Sequence, residues 1–377
     1  MDHDILCHKL KKLGITGKVG VWIKEFLTGR FQQVSANGAL SNSVPVISGV
    51  PQGTVLGPIL FIIMISDLGK ELIYSTVSKY ADDTKNKAKV SNQKDTENFQ
   101  RELDEVIYPW APTNNMSLNG DKFEYHRIGK KSGLEKACYR NPTGDPIIEK
   151  DHIKDLGVYI SSDLSWGKQI EEVVSKTISM SGWTLRTFRT RERGPMTTIW
   201  NSLVRPSLDY CSPLWAPCPS NYGEIDMLED TQRSFTRNIN GMEGLNYAQR
   251  LKKLKMYSIQ RRHERYKILY VYKIKEKLVP NVTQSNGLYF EYERRGCECK
   301  LPNYRIRKGM KKVRENSFAL TARNLWNSLP RCIRDISGED LEKFKGKLDR
   351  VLSHYPDVPR CSHRGHAFRD ATLLQFL

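Results

Sequence analysis

No apolar run in this chain approaches a membrane span. The longest, Ile59 to Ile65, is far below the ~20 residues a helix needs to cross a bilayer. The start, Met1-Asp2-His3-Asp4, lacks the basic-then-apolar pattern of a secretory signal. An intracellular location, in cytoplasm or nucleus, is the expectation, with no membrane partner. Cysteine is sparse and scattered, at 8 in 377 residues, which suits free thiols better than a disulfide framework. There is no Gly-x-Ser-x-Gly elbow and no phosphate-cradling Gly-x-x-x-x-Gly-Lys-Ser/Thr loop, so neither a hydrolase triad nor a P-loop is legible. Internal repeats and low-complexity tracts are also absent. Acidic residues are under-represented: 42 Asp and Glu face 60 Lys and Arg, a net charge of +18. That imbalance points to a polyanionic partner.

The basic excess is concentrated. Residues 231–277 hold 13 Lys and Arg against 3 Glu, and residues 291–314 hold 9 against 3. Both stretches interleave aromatics, among them Tyr257, Tyr266 and Tyr270 in the first, and Tyr292 and Tyr304 in the second. Cations can neutralise phosphates and rings can stack bases. Lys252, Lys253, Lys255, Arg261, Arg262 and Arg265 are the candidate nucleic-acid backbone contacts. The bland alternative is a solvated helix face with core aromatics.

Along the chain, Leu6, Leu10 and Leu13 have helical spacing, and Val19–Leu27 reads as a second helix. Residues 30–35 suit a strand. A Pro/Gly-rich loop, Ser48 to Gly53, leads into an apolar helix from Val55. Tyr74–Tyr80 and Thr84–Val90 flank Ala81-Asp82-Asp83, suggesting a tight hairpin with two carboxylates at its tip. Phe99–Trp110 reads as helix, and Phe123–Ile128, Pro146–Ile148 and Leu156–Ile160 as short strands. From Lys168 the pattern is mainly helical: an Ile170, Val173, Val174, Thr177 and Ile178 stripe, then Met196–Val204, Ile225–Ile239, one or two basic helices over Leu251–Lys277, Phe318–Leu329 and Leu341–Leu352. Ser337-Gly338-Glu339-Asp340 has the form of a capping box for the last of these.

Two segments carry the chemistry. Adjacent carboxylates on a turn can hold a divalent metal, and Mg²⁺ takes carboxylate oxygens together with substrate phosphates. Gly49 and Gly53 permit close backbone approach, Pro51 stiffens the loop and Gln52 offers an amide to a base or nucleotide. Either segment alone has an ordinary explanation, a polar surface turn or a loop entering a buried helix. Together, Gly49-Val50-Pro51-Gln52-Gly53, an apolar helix and Tyr80-Ala81-Asp82-Asp83 resemble a reverse transcriptase palm. Asn114 to Asn119 followed by Asp121-Lys122-Phe123-Glu124 resembles the next palm segment, and Leu156-Gly157-Val158 the primer-grip turn. The finer resemblance is to non-LTR, LINE-type, jockey-like retrotransposon polymerases. It rests on Asp2-His3-Asp4-Ile5-Leu6, Trp22-Ile23-x-x-Phe26-Leu27, Arg205-Pro206-x-Leu208-x-Tyr210 and Leu325-Trp326-Asn327-Ser328-Leu329-Pro330.

The resemblance implies an α/β (α+β) incomplete palm over 1–165, an all-α basic thumb over 166–280, and a linker with a helical C-terminal extension over 281–377. It implies RNA-directed DNA synthesis by two-metal nucleotidyl transfer, with Mg²⁺ (or Mn²⁺), an RNA template, a DNA primer and dNTPs. Asp82 and Asp83 would hold metal, and Lys122 would act at the triphosphate. Gly49, Pro51, Gln52, Gly53, Tyr80 and Ala81 would line the template and nucleotide site, and Leu156 and Gly157 would grip the primer. In this family an Asp-x-x-x-x-Phe-Asp motif lies just upstream of the Asp-His-Asp segment, and its register falls before Met1. Asp2 and Asp4 fall on the helix that follows that motif. An inactive fragment is therefore the expectation, with a non-catalytic nucleic-acid-binding remnant as the alternative. Cys297-x-Cys299 and Cys361-x-His363-x-x-His366 do not complete a zinc site at usual spacings.

Overall fold

The computed structural model describes residues 1–129, 137–279, 301 and 317–359. The architecture is mixed, about half helical with small sheets, and consistent with palm-like and thumb-like parts. The chain divides into two compact units, Met1–Lys150 and Asp151–Leu377. The Leu156-Gly157 turn, expected with the palm, belongs to the second unit. Among the described residues every sheet has two strands.

In the first unit, Asp2 N-caps the helix His3–Lys12 by accepting from the backbone of Asp4 and Ile5. These bonds, the largest influence, and one from Asn115 hold its carboxyl below the usual carboxylate range. The expected helix at Val19–Leu27 runs Gly17–Leu27. Leu6, Leu10, Ile23 and Leu27 pack with Leu60 and Met64 of the helix Leu56–Met64 into one core. The expected strand at 30–35 is two short pairings, Phe31–Gln32 with Val44–Pro45 and Ser35–Ala36 with Ala39–Leu40. Further on, Glu124–Tyr125 pairs in parallel with Ile148–Glu149.

The expected helix at Phe99–Trp110 is interrupted. An α-helix Gln93–Glu102, closed by an Asn92/Asp95 capping box, passes into a π-turn at Leu103–Ile107 and then the helix Tyr108–Thr113. The second unit repeats the device: helix Arg193–Ile199, π-turn Trp200–Val204, helix Arg205–Asp209. A proline lies just past each π-turn, Pro109 or Pro206. Proline has no N–H for the ladder, and its ring crowds the carbonyl four residues back. Widening the preceding turn relieves that clash while keeping the helix axis.

The second unit opens with a hairpin, His152–Asp155 against Val158–Ser161. The long helix Gly167–Thr187 buries Ile170, Val173, Val174 and Thr177, but Ile178 is 58% exposed, so the stripe is narrower than its spacing implied. Trp200 and Phe235 meet at a 4.8 Å centroid distance in this core. The basic stretch forms two helices, Tyr247–Leu254 and Ile259–Lys275. Lys255, in left-handed conformation, ends the first. The second packs Ile268, Leu269, Val271 and Tyr272 against Trp326, Phe344, Leu348 and Leu352, and Tyr272 stacks on Phe344 with centroids 3.7 Å apart. The final helix is capped by Asp340, which accepts from Glu342. Ser337, expected to cap it, donates instead to Glu276. None of the described helices is long and apolar enough to cross a membrane.

Candidate active site in the first unit

The hairpin Ser75–Tyr80/Asp83–Ala88 is closed by two residues, with Tyr80 paired to Asp83. Ala81 takes a φ of +50°. Tight two-residue turns need a left-handed residue to match strand twist, and an alanine there costs about 1–2 kcal/mol. That conformation turns Asp82 to the apex beside Asp83. Both carboxylates are solvent-exposed, as is the Tyr80 ring.

Two anchors, the half-buried Lys79 and the buried Glu102, hold this hairpin in place, and neither was legible as a motif. Lys79, one residue before the Tyr-Ala-Asp-Asp segment, donates to the carbonyls of Ile65, Ser66 and Leu68 at 2.8–3.0 Å. These acceptors follow the helix Leu56–Met64, where carbonyls otherwise lack intrahelical partners. Burial lowers the Lys79 pKa against the opposing pull of Asp67. At the other end, Glu102 accepts from the Ile73 and Tyr74 amides and the Ser75 hydroxyl at 2.5–2.7 Å. A third bond set runs alongside: Lys9 donates to Asp67 at 2.7 Å and to the Met64 carbonyl, while the Trp110 indole donates to Asp67. The only sequence-level hint was a lysine and an acid within otherwise strand-like or helical patterns.

The Ser48–Gly53 loop is fixed from both sides. His3 Nε2 contacts the Gly49 carbonyl at 2.8 Å and the Gly49 amide donates to the Met1 carbonyl. Gly49 and Gly53 have φ of +82° and +76°, so their glycine identity follows from the backbone. Thr54 accepts from Gly57 and donates to the Pro51 carbonyl, and a Cβ on Gly57 would sit 2.8 Å from that carbonyl. Gln52 and Gly53 are thereby presented to solvent at the mouth of the apolar helix. Lys122 ends a short 3₁₀ turn, Gly120–Lys122, and is exposed.

Carboxylate oxygens suit Mg²⁺ or Mn²⁺ in kind. Among the described residues no three His, Cys, Asp or Glu side chains cluster as a metal set. Asp2, as the helix cap described above, is already engaged.

The remaining predicted residues lie in the second unit. Leu156 and Gly157, with φ of +45° and +84°, form the turn of the His152–Ser161 hairpin, and the Tyr210 hydroxyl donates to the Leu156 carbonyl. Of the six basic candidates, Lys252, Lys253 and Lys255 lie at or just after the end of one helix. Arg261 does not reach solvent: it is 2% exposed and donates to the carbonyls of Leu352 and Pro356. Arg262 makes two bonds to Asp209 and Arg265 two to Asp349. The composition of this stretch therefore overstates its exposed charge, since Lys267 and Lys275 are also buried against carbonyls. The basic stretch 291–314, apart from Leu301, and the groups Cys297-x-Cys299 and Cys361-x-His363-x-x-His366 lie outside the described residues.

Residues 1–160 match the family model described as reverse transcriptase (RNA-dependent DNA polymerase). The chain is 27% identical over 222 residues to the RNA-directed DNA polymerase from mobile element jockey of Drosophila melanogaster, covering 55% of this chain and 24% of the relative. It is 23% identical over 229 residues to the probable RNA-directed DNA polymerase from transposon X-element of the same organism, covering 59% and 25%. A jockey polymerase of Drosophila funebris matches at 23% over 249 residues, covering 63% and 27%. The chain thus spans about a quarter of the length of the curated relatives it matches. The Pro-Gln-Gly loop and the Tyr-Ala-Asp-Asp hairpin are both built inside the matched region, so residues 1–160 are similar to reverse transcriptases, and the relatives matched are polymerases of the jockey and X-element mobile elements.

Proposed function

We propose that the first unit carries nucleotidyl-transfer residues for RNA-directed DNA synthesis, with the hairpin tip at its centre. The observation that carries this reading is the left-handed Ala81 turn, which places two exposed aspartates in succession at the tip of an anchored hairpin. Asp82 and Asp83 hold the divalent cation, and Mg²⁺ or Mn²⁺ bound there supplies positive charge to a triphosphate. Gln52 and Gly53 meet the pairing template base and incoming dNTP, where the glycine backbone permits close approach. Tyr80 and Ala81 border the same space. Lys122, a compact point charge on a flexible stem, neutralises phosphate oxygens. The Leu156-Gly157 turn supports the primer strand. With two carboxylates at the hairpin tip, a cation held there would need further oxygen donors from protein or substrate.

The test is primer extension on an RNA template in Mg²⁺, with wild type beside Asp82→Asn and Lys122→Gln. Extension abolished by the first and slowed by the second supports the reading. Extension that survives Asp82→Asn removes the hairpin from the chemistry. Template binding without extension in the wild type favours the non-catalytic binding role.

A further inference from the structure

The second unit contains a cavity of about 280 Å³ whose wall carries four cationic side chains. Arg205, Lys255, Arg262 and Arg265 line it, with Asp349 as the acidic lining residue. Asp209 pairs with both Arg205, at 3.1 Å, and Arg262, at 2.7 Å. Three arginines therefore share two carboxylates, and Arg205 and Arg262 donate in addition to Asn201 and Tyr266. Guanidinium groups carry five donors each, and these two carboxylates occupy only part of them. The Arg205 Nε is buried and, although close to Asp209, is not aligned for a hydrogen bond. The Lys255 ammonium lines the cavity with neither hydrogen bond nor ion pair among the described residues.

One lining group needs a donor rather than an acceptor. Gln232 is fully buried, and its amide nitrogen donates to the Tyr247 hydroxyl and the Tyr257 carbonyl. The Tyr257 carbonyl can only accept, which fixes the amide orientation. Gln232 Oε1 is left buried without a partner. Tyr257 and Tyr266 also line the wall, with Asn201 and Met256. A ligand that satisfies all of this presents a doubly negative or locally concentrated anion, a hydroxyl donor and a flat face.

We propose that this cavity binds a ribose-phosphate group, through the phosphate at Arg205, Lys255, Arg262 and Arg265 and a ribose hydroxyl at Gln232. It is separate from the hairpin chemistry and does not rest on it. An RNA strand and a free ribonucleotide share this chemistry, and two probes separate them: a short 4-thiouridine-labelled oligoribonucleotide and AMP.

The full chain is titrated with the oligomer, and photocrosslinked peptides are mapped. The expected result is a crosslink to the segment bearing Tyr257 or Tyr266. Lys255→Gln weakens that binding by about tenfold, the scale of one charge-assisted hydrogen bond, while Lys176→Gln, an exposed lysine on the helix Gly167–Thr187, changes it less than about twofold. The matching oligodeoxyribonucleotide binds several-fold more weakly. Asp82→Asn leaves all three results unchanged. Displacement by AMP at comparable concentration names a mononucleotide as the ligand, and its failure names a strand. Equal effects of Lys255→Gln and Lys176→Gln, equal binding of the deoxy strand, or crosslinks only elsewhere would each overturn the proposal. Matched thermal unfolding of the two lysine variants shows that the fold is intact.

Discussion

Tyr210 donates its hydroxyl to the Leu156 carbonyl at 2.9 Å, and its ring lies 3.4 Å from where a side chain on Gly157 would begin. The two residues are 54 positions apart, yet each belongs to a segment singled out by motif alone. Tyr210 closes the Arg205-Pro206-x-Leu208-x-Tyr210 run and Leu156 opens the turn. Leu156, the non-glycine residue of the two left-handed positions, is strained, and a distant phenol bonds its carbonyl. Tyr210→Phe should cost about 1 kcal/mol of stability, one hydrogen bond. Gly157→Ala should cost at least as much, through its φ of +84°. Urea unfolding followed by near-ultraviolet circular dichroism measures both, and an unchanged midpoint for Gly157→Ala would show that the turn relaxes freely.

At the other hairpin the strain and the chemistry separate. Ala81→Gly relieves a left-handed alanine and should stabilise the first unit by about 1 kcal/mol. Asp82→Asn should leave stability within about 0.5 kcal/mol, because its exposed carboxylate anchors nothing. The same change should weaken Mn²⁺ binding several-fold, read by water-proton relaxation. A large loss of stability in Asp82→Asn would mean that the tip is structural.

Lys79 has the opposite character. Lys79→Met keeps the stem and removes the ammonium, leaving three carbonyls without their donor. The expected cost is about 1.5–3 kcal/mol, with faster amide exchange across Ser75–Ala88. Exchange unchanged there would separate the lysine from hairpin order.

Glu229 and His263 give the second unit opposing pH responses. Burial pushes the Glu229 carboxyl up to about 7, while it accepts from the Gln260 amide and the Tyr247 hydroxyl. Burial pushes His263, bonded to the Leu208 carbonyl, down to about 4. The raised carboxyl contributes stability below its ordinary value near 4.5, lost as pH rises through 7. The depressed imidazole contributes stability above 6.5, lost as pH falls through 4. Over the shared window the two slopes partly cancel. Glu229→Gln removes one, so stability should then fall steadily from pH 7 to pH 5. Denaturation midpoints at several pH values measure this; a profile still flat in the variant contradicts the opposition.

Arg261 tests composition against packing. Arg261→Met should cost about 2–4 kcal/mol, from unpaired buried carbonyls and lost packing, and change RNA affinity little in the molecules that remain folded. Lys252→Gln together with Lys253→Gln should do the reverse, lowering affinity and its salt slope with stability nearly unchanged. Filter binding across a salt series, paired with thermal melts, distinguishes the two.

What the sequence disclosed was periodic or local. The Tyr-Ala-Asp-Asp hairpin, the loop glycines and most helices follow from spacing and turn residues, so their positions were readable. The π-turns were not, since a proline shows where a helix is disturbed but not that the preceding turn widens to absorb it. Lys79, Glu102 and Gln232 were missed because their partners are backbone carbonyls, amides or distant side chains, which leave no pattern in a single chain. The basic helix misled for a related reason: periodicity does not distinguish an arginine facing water from one, like Arg261, turned onto carbonyls.

The helix Ile259–Lys275 fastens the C-terminal part of the second unit at several places. Ser258, just before it, bonds Asp357; Arg265 bonds Asp349; Lys275 bonds the carbonyls of Arg334 and Ile336. The segment from Arg331 to Asp357 is thus laced along one rod. A protease cut near Ser337 would not trim a tail. It would strip Phe344, Leu348 and Leu352 from Tyr272 and Trp326, exposing an oily seam on what remained. Shortened versions of this protein ending before Phe344 should therefore precipitate during preparation, which sets the practical limit for any fragment made to study the second unit.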